Sequence, residues 1–365
     1  MLFSLTILAF ILITGLIIGS FLNVVILRTV SEESIVFPPS KCPKCQTPLK
    51  WFHNIPVLSF LFLKGKCAFC KEKISWQYPI VEIITGILFV LLFIRYCNPF
   101  DEFFGLNSFN MITYPQLITY IFALIATCLL IVISGTDFIE MKISEKHTYT
   151  LMGTGILYSI IMAILNFIYY KQAIGMPEIN WNFILSCPIL YAIGAGIICF
   201  VFMEIIRRFT SFIVKTETFG EGDAHIAAGI GVVFGALLGN SANYLYFFQI
   251  LIALLIIFIL SAILPVIFIL PLYLKRLFSQ KNWLMLGGIA AFIIYSIGYM
   301  CAKQYGWLDN NAALILCSIV LLALGLLICR ELIIGIKQHK SDGLPCPFGP
   351  AMATAAIIAL LTFPL

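Results

Sequence analysis

Ten stretches of this sequence stay apolar for about as long as a helix needs to cross a bilayer, roughly 20 residues. No other feature narrows the possible folds as far. The stretches are 2–27, 81–98, 114–134, 147–170, 184–206, 223–239, 243–270, 283–302, 311–329 and 346–364. In lipid a backbone must satisfy its own hydrogen bonds, so such runs read as helices. Only 11% of the 365 residues are charged, against about 25% in a soluble domain, so no single water-facing core could hide the remaining apolar surface. The expected fold is an all-α polytopic membrane protein of about ten transmembrane helices. The span 223–239 is short and glycine-rich, and hydropathy alone supports it least.

The first 27 residues carry no Lys or Arg. A cleavable signal peptide would begin with a basic region, so 1–27 is expected to stay as a transmembrane helix with its N-terminus outside. The basic residues then test the map. Nineteen of the 22 fall in 28–80, 135–146, 207–222, 271–282 and 330–345, while Arg95, Lys171 and Lys303 fall on the other side. This is a positive-inside asymmetry. It predicts an inner-membrane protein with an even number of spans, its 28–80 segment in the cytosol. The net charge of +5 is scattered through short loops and gives no support for a nucleic-acid partner.

Segment 28–80 is the only sizeable hydrophilic part, which divides the chain into a first helix (1–27), a cytosolic module (28–80) and a multi-helix membrane domain (81–365). The module holds Cys42-Pro-Lys-Cys45 and Cys67-Ala-Phe-Cys70. Two CxxC knuckles at this spacing suit a tetrahedral zinc site with four cysteine ligands. About 50 residues cannot build a core of their own, so a metal staple makes physical sense. Four thiolates leave no open position, which points to a structural zinc ion. His53, between the knuckles, is expected to be a local loop residue. Paired redox disulfides are the alternative.

The chain has five Asp: Asp101, Asp137, Asp223, Asp309 and Asp342. The topology puts Asp101 and Asp309 outside. Asp137 follows an apolar run ending near Ser134, and Asp223 opens the span 223–239, both at the inner face. Carboxylates at that depth are costly and mark function. Asp223 ends Gly220-Glu221-Gly222-Asp223, whose glycines are expected to allow close approach and positive φ. A helix N-terminus is also a favourable place for a carboxylate. Two carboxylates brought together would share a proton and titrate as a unit, the state in which one activates water and the other protonates an amide nitrogen. Asp223 as base and Asp137 as acid is one assignment; the reverse is equally open. Asp342, also on the inner side, is the decoy.

These residues resemble the type 4 prepilin leader peptidase and N-methyltransferase family. Gly19-Ser20-Phe21-Leu22-Asn23-Val24-Val25 with Arg28 looks like its opening signature. Residues 41–86 resemble its cytosolic domain, through Trp51, Asn54-Ile55-Pro56-Val57-Leu58-Ser59 and Tyr78-Pro79-Ile80-Val81-Glu82. Gly220 to Asp223 looks like its GxGD motif, and Pro347-Phe348-Gly349-Pro350 like its tail. The resemblance implies an intramembrane aspartic peptidase with Asp137 and Asp223 catalytic. It would cut the leader of type 4 prepilins or pseudopilins after a glycine, then methylate the new N-terminus with S-adenosylmethionine. Departures are His225, where the family usually has Lys, and Ile143-Ser144-Glu145, where it often reads Ile/Leu-Pro-Asp. The family also commonly shows about eight spans.

For methyl transfer, Glu82 and Tyr78 near the start of the second span could cluster with Asn23 and Arg28 at the end of the first, as contacts for an amine and the cofactor. A Glu82–Arg28 ion pair with Asn23 packed between helices is the alternative reading, and Glu204 is similarly open. Two other functions remain: a peptidase without methyltransferase activity, and a carboxylate-coupled transporter or assembly scaffold. Carboxylates that hug one face, in a chain without repeats, speak against transport.

Overall fold

The computed structural model describes residues 2–37, 39–97, 113–140, 143–174, 187–214, 220–239 and 349–362, all within one compact unit formed by Met1–Ala262 and Pro347–Leu365. Among them there is no strand, only two isolated bridges. The helices are α1 (Leu2–Val30), α2 (Leu58–Phe62), α3 (Gln77–Cys97), α4 (Tyr114–Glu140), α5 (Glu145–Ile174), α6 (Pro188–Val214), α7 (Glu221–Leu238) and α8 (Gly349–Thr362). Six of them, α1 and α3 to α7, are long and apolar enough to cross a membrane. The chain is a multi-pass membrane protein. The expected spans 243–270, 283–302 and 311–329 lie outside the described residues, as do Asp101, Asp309 and Asp342.

Helix α1 packs against α3 and α4, and α5, α6 and α7 pack together; α4 meets α5, and α8 lies against α4, α3 and α7. Between helices in lipid, apolar burial gives little drive, so small residues that let backbones approach do much of the work. A Cβ at Gly15 would stand 2.8 Å from Gly86 Cα, and one at Gly19 would stand 2.7 Å from Glu82 Cα. The paired numbers run in opposite directions, so α1 and α3 are antiparallel.

Helix α7 is the doubtful span of the sequence reading, and its packing explains why hydropathy undersells it. Of its membrane-length window 83% is buried, against at most 50% in the other five. It faces protein where they face lipid. Gly231, Gly235 and Gly239 recur every fourth residue on the side that meets α6. A Cβ at Gly231 would strike Ala195 O and Cys199 Sγ, and one at Gly235 would strike Tyr191 O. In return, Gly196 of α6 and Gly155 of α5 make room for Val232.

Candidate catalytic and metal sites

Helices α4 and α7 bring the two predicted aspartates together. The apolar run of α4 ends near Ser134, but the helix continues to Glu140, so Asp137 sits within its last turn, three residues before its end. Thr136 helps carry it on, donating its hydroxyl to Val132 O and Ile133 O at 3.0 and 3.1 Å. Asp223 is the third residue of α7. Its Oδ2 accepts the Gly220 amide at 3.1 Å, and the Asp223 amide donates to Gly220 O at 3.2 Å. Asp137 and Asp223 are 4% and 6% exposed, and the Asp137 charge acts on the Asp223 carboxyl. Among the described residues the buried carboxylates are these two and Glu82. Two buried carboxyl groups whose charges act on each other form a costly arrangement.

Of the motif's two glycines, Gly222 serves close approach, and neither takes a positive φ. Gly220 has φ −70°, ordinary for any residue, so the expected positive φ is absent. Gly222 lies under the chain that links α4 to α5: a Cβ there would stand 2.8 Å from Ile143 Cβ. Ser144 precedes the first residue of α5, and its Oγ is 2.8 Å from His147 Nδ1. His225 packs its ring edge-on to Tyr149 and Phe200, with Nδ1 3.0 Å from Glu221 O. Both departures from the family pattern therefore sit beside the carboxyl pair as helix-end and packing groups. Glu204 joins Arg207 and Arg208 in ion pairs at 2.8 Å, and Arg207 also reaches Glu221 at 3.9 Å. The Arg207–Glu221 link, which ties α6 to the GxGD motif, was not foreseen: no local pattern connects residues so far apart.

The four paired cysteines converge. Their sulfurs all lie within 4.8 Å of one another, and Cys42 Sγ is 3.9 Å from Cys70 Sγ. A tetrahedron with Zn–S near 2.3 Å has sulfurs about 3.8 Å apart, so the donors fit a metal without rearrangement. All four thiols are free, and one group of four sulfurs matches a metal site where two disulfides would form separate pairs. The two knuckles repeat one backbone pattern. In each, the first cysteine's amide reaches five residues on (Cys42 to Thr47 O, Cys67 to Glu72 O), and the residue after the second cysteine donates back to the first (Gln46 to Cys42 O, Lys71 to Cys67 O). Gln46 and Lys71 hold φ 57° and 60°. Hydrogen bonds from the Thr47 hydroxyl and amide pull the Cys45 thiol down to about 6. The Cys70 and Phe69 amides lower Cys67. The Glu72 amide also favours the Cys70 thiolate, but burial and the other three sulfurs outweigh it and push Cys70 to about 11. His53 is not among the four donors; its ring packs edge-on to Phe52 and Phe69.

The third cluster lies between α1 and α3. Asn23, 1% exposed, donates its amide NH2 to Tyr78 O at 3.1 Å and Gly19 O at 3.3 Å. Those bonds orient the amide, and its Oδ1 is buried without a partner. Glu82, 6% exposed, accepts the Val57 amide at 2.7 Å. Arg28 donates to Ser34 O and Ile35 O, both at 2.8 Å, closing the loop after α1. Asn23 thus meets Tyr78, Glu82 meets Val57, and Arg28 bonds the loop after α1. The Val57–Glu82 bond had no signal in the sequence beyond an apolar run beside a motif.

The first part of the chain, residues 13–96, matches the model of the Bacterial Peptidase A24 N-terminal domain. The prepilin leader peptidase/N-methyltransferase of Myxococcus xanthus is 51% identical over 22% of this chain and 24% of its own length. That of Neisseria gonorrhoeae is 41% identical over 23% and 38%. The chain therefore spans well under half of these two relatives. That of Bacillus subtilis is 31% identical over 67% of this chain and 79% of its own length. No solved structure matches. With a relative 31% identical across 79% of its own length and the N-terminal domain matched besides, the chain belongs to the prepilin leader peptidase/N-methyltransferase family.

Proposed function

We propose that this protein is an intramembrane aspartic peptidase of the inner membrane. It would cut the leader from type 4 prepilins or pseudopilins after a glycine, at the cytosolic face, and then methylate the new N-terminus. The observation that carries the peptidase reading is the pair Asp137 and Asp223: both buried, contributed by different helices, and close enough for one charge to act on the other. The pair would hold one proton between them. The ionised member takes a proton from a water, whose oxygen attacks the scissile carbonyl carbon; the protonated member delivers its proton to the amide nitrogen as the C–N bond breaks. Either residue can start as the base in this scheme.

For methyl transfer, S-adenosylmethionine would supply the methyl group, and Asn23, Glu82 and Arg28 are the proposed contacts. Support comes from the orphaned Asn23 Oδ1 and the buried Glu82 carboxylate beside it: two acceptors that a cationic amine would satisfy. Glu82→Gln keeps an acceptor for the Val57 amide but removes the charge. It is expected to lose methylation while cleavage persists. Fully methylated product from that variant, read by mass spectrometry, would contradict the assignment.

Cys42, Cys45, Cys67 and Cys70 would hold a structural zinc ion, stapling a module too small to fold on its own core. Metal analysis of the full-length protein is expected to give about one zinc per chain. Cys42→Ser is expected to reduce it sharply. A metal-free protein with its module still folded and protease-resistant would remove the claim.

A further inference from the structure

The middle of the 28–80 segment is not built for water. Ile55-Pro56-Val57-Leu58-Ser59-Phe60-Leu61-Phe62-Leu63 holds one polar side chain, and Ser59 spends its hydroxyl on Ile55 O and Phe52 O. Leu58, Leu61 and Phe62 are 50%, 61% and 82% exposed, and Trp51 and Trp76 flank them at 81% and 68%. An apolar surface of this kind marks a contact with lipid or with another protein.

One hydrogen bond sets its depth. Val57 donates its amide to Glu82 Oε2 at 2.7 Å, and Glu82 is the sixth residue of α3. At 1.5 Å per residue that is about 7.5 Å along the helix from its start. Helix α3 has 21 residues, about what the hydrocarbon core requires. Val57 is thereby held beside the second turn of α3, at the end where that helix would enter a membrane. It is held in a costly conformation: φ 59°, ψ −48° for a β-branched residue, with the Leu58 amide returned to Pro56 O. This is a γ-turn, strained, and kept only where the surroundings dictate it. The chain descends to Glu82, reverses at Val57 and returns as α2.

In lipid a backbone amide needs a partner within the protein, and those of Val57, Leu58, Ser59, Leu61 and Leu63 have one. The sequence on either side of this apolar stretch carries Lys41, Lys44, Lys50, Lys64, Lys66, Lys71 and Lys73, with Glu72 as the acid among them, a charge pattern that favours anionic headgroups. Indole rings such as those of Trp51 and Trp76 settle at the membrane–water boundary.

We infer that residues 55–63 are an interfacial insert. They dip into the leaflet beside α3, with the lysines on anionic headgroups, and hold the four-cysteine module flat against the bilayer. The inference is independent of the activity proposed above. The test uses the full-length protein in phosphatidylethanolamine/phosphatidylglycerol nanodiscs. The photoreactive residue benzoylphenylalanine replaces Phe62 in one preparation and the exposed, acidic Glu33 of the loop after α1 in another. On irradiation, lipid adducts read by mass spectrometry are expected at position 62 in several-fold excess over position 33. Equal yields at the two positions would overturn the inference. So would adducts at position 62 that form only to an added substrate peptide, since that would make the surface a peptide-docking site.

Discussion

Asp137→Asn and Asp223→Asn are each expected to lower leader cleavage by roughly 10²–10⁴-fold, the usual contribution of a positioned acid or base. The double variant should be no worse than either single one, because the two carboxyls act as one unit. The substitutions are close to isosteric. Asn at position 223 still offers an oxygen to the Gly220 amide, which now bonds Asp223 Oδ2 at 3.1 Å, so the start of α7 should hold. Stability is expected to move the other way. Two carboxylates 4% and 6% exposed are costly to keep at membrane depth, and removing one should leave the protein equally stable or more so. Loss of cleavage with an unchanged or higher thermal midpoint would separate a catalytic pair from a structural one. A variant that still cuts normally would contradict the pair's role, and one that fails to insert would make it structural.

The second large effect concerns the helix that carries Asp223. Gly235→Leu is expected to unseat α7 from α6, because the new Cβ would strike the backbone oxygen of Tyr191, with Ala195 Cβ 2.8 Å away. A backbone atom cannot rotate out of the way, so the cost should exceed the 1–3 kcal/mol or so typical of overpacking. Cleavage should fall with it, since Asp223 rides on the same helix. Gly194 and Gly153 make the comparison: a Cβ at either would meet nothing within 4 Å. Gly194→Ala and Gly153→Ala are expected to change stability by no more than about 0.5–1 kcal/mol, the Gly-to-Ala helix difference included. If all three variants behaved alike in a thermal aggregation series, the close α6–α7 packing would not be what seats α7.

Much of the site could be read from the chain because its residues are scarce. With five Asp in 365 residues, topology narrows the candidates to Asp137, Asp223 and Asp342, the GxGD context and helix ends favour the first two, and the CxxC spacing singles out the four cysteines. What could not be read was the tertiary reason for the local residues. The close approach expected of the GxGD glycines is met at Gly222, but its partner, Ile143, had no signal in the sequence. Asp137 follows the apolar run, yet its helix continues to Glu140, and at Gly135 α1 approaches so closely that a Cβ there would stand 2.6 Å from Ile26 Cδ1. The strain at Val57 and its bond to Glu82 join residues 25 apart in sequence, and neither hydropathy nor motif spacing carries such a signal. The low hydropathy of α7 was read as weakness, though it reflects a helix lined by protein where its neighbours meet lipid.

The most direct test of the account incubates a purified prepilin with the purified full-length protein, with and without S-adenosylmethionine, and weighs the product by mass spectrometry. The account predicts loss of the leader at the bond after a glycine in both cases, with one added methyl on the new N-terminus when the donor is present. An uncut prepilin, or one cut equally well by Asp223→Asn, would contradict it.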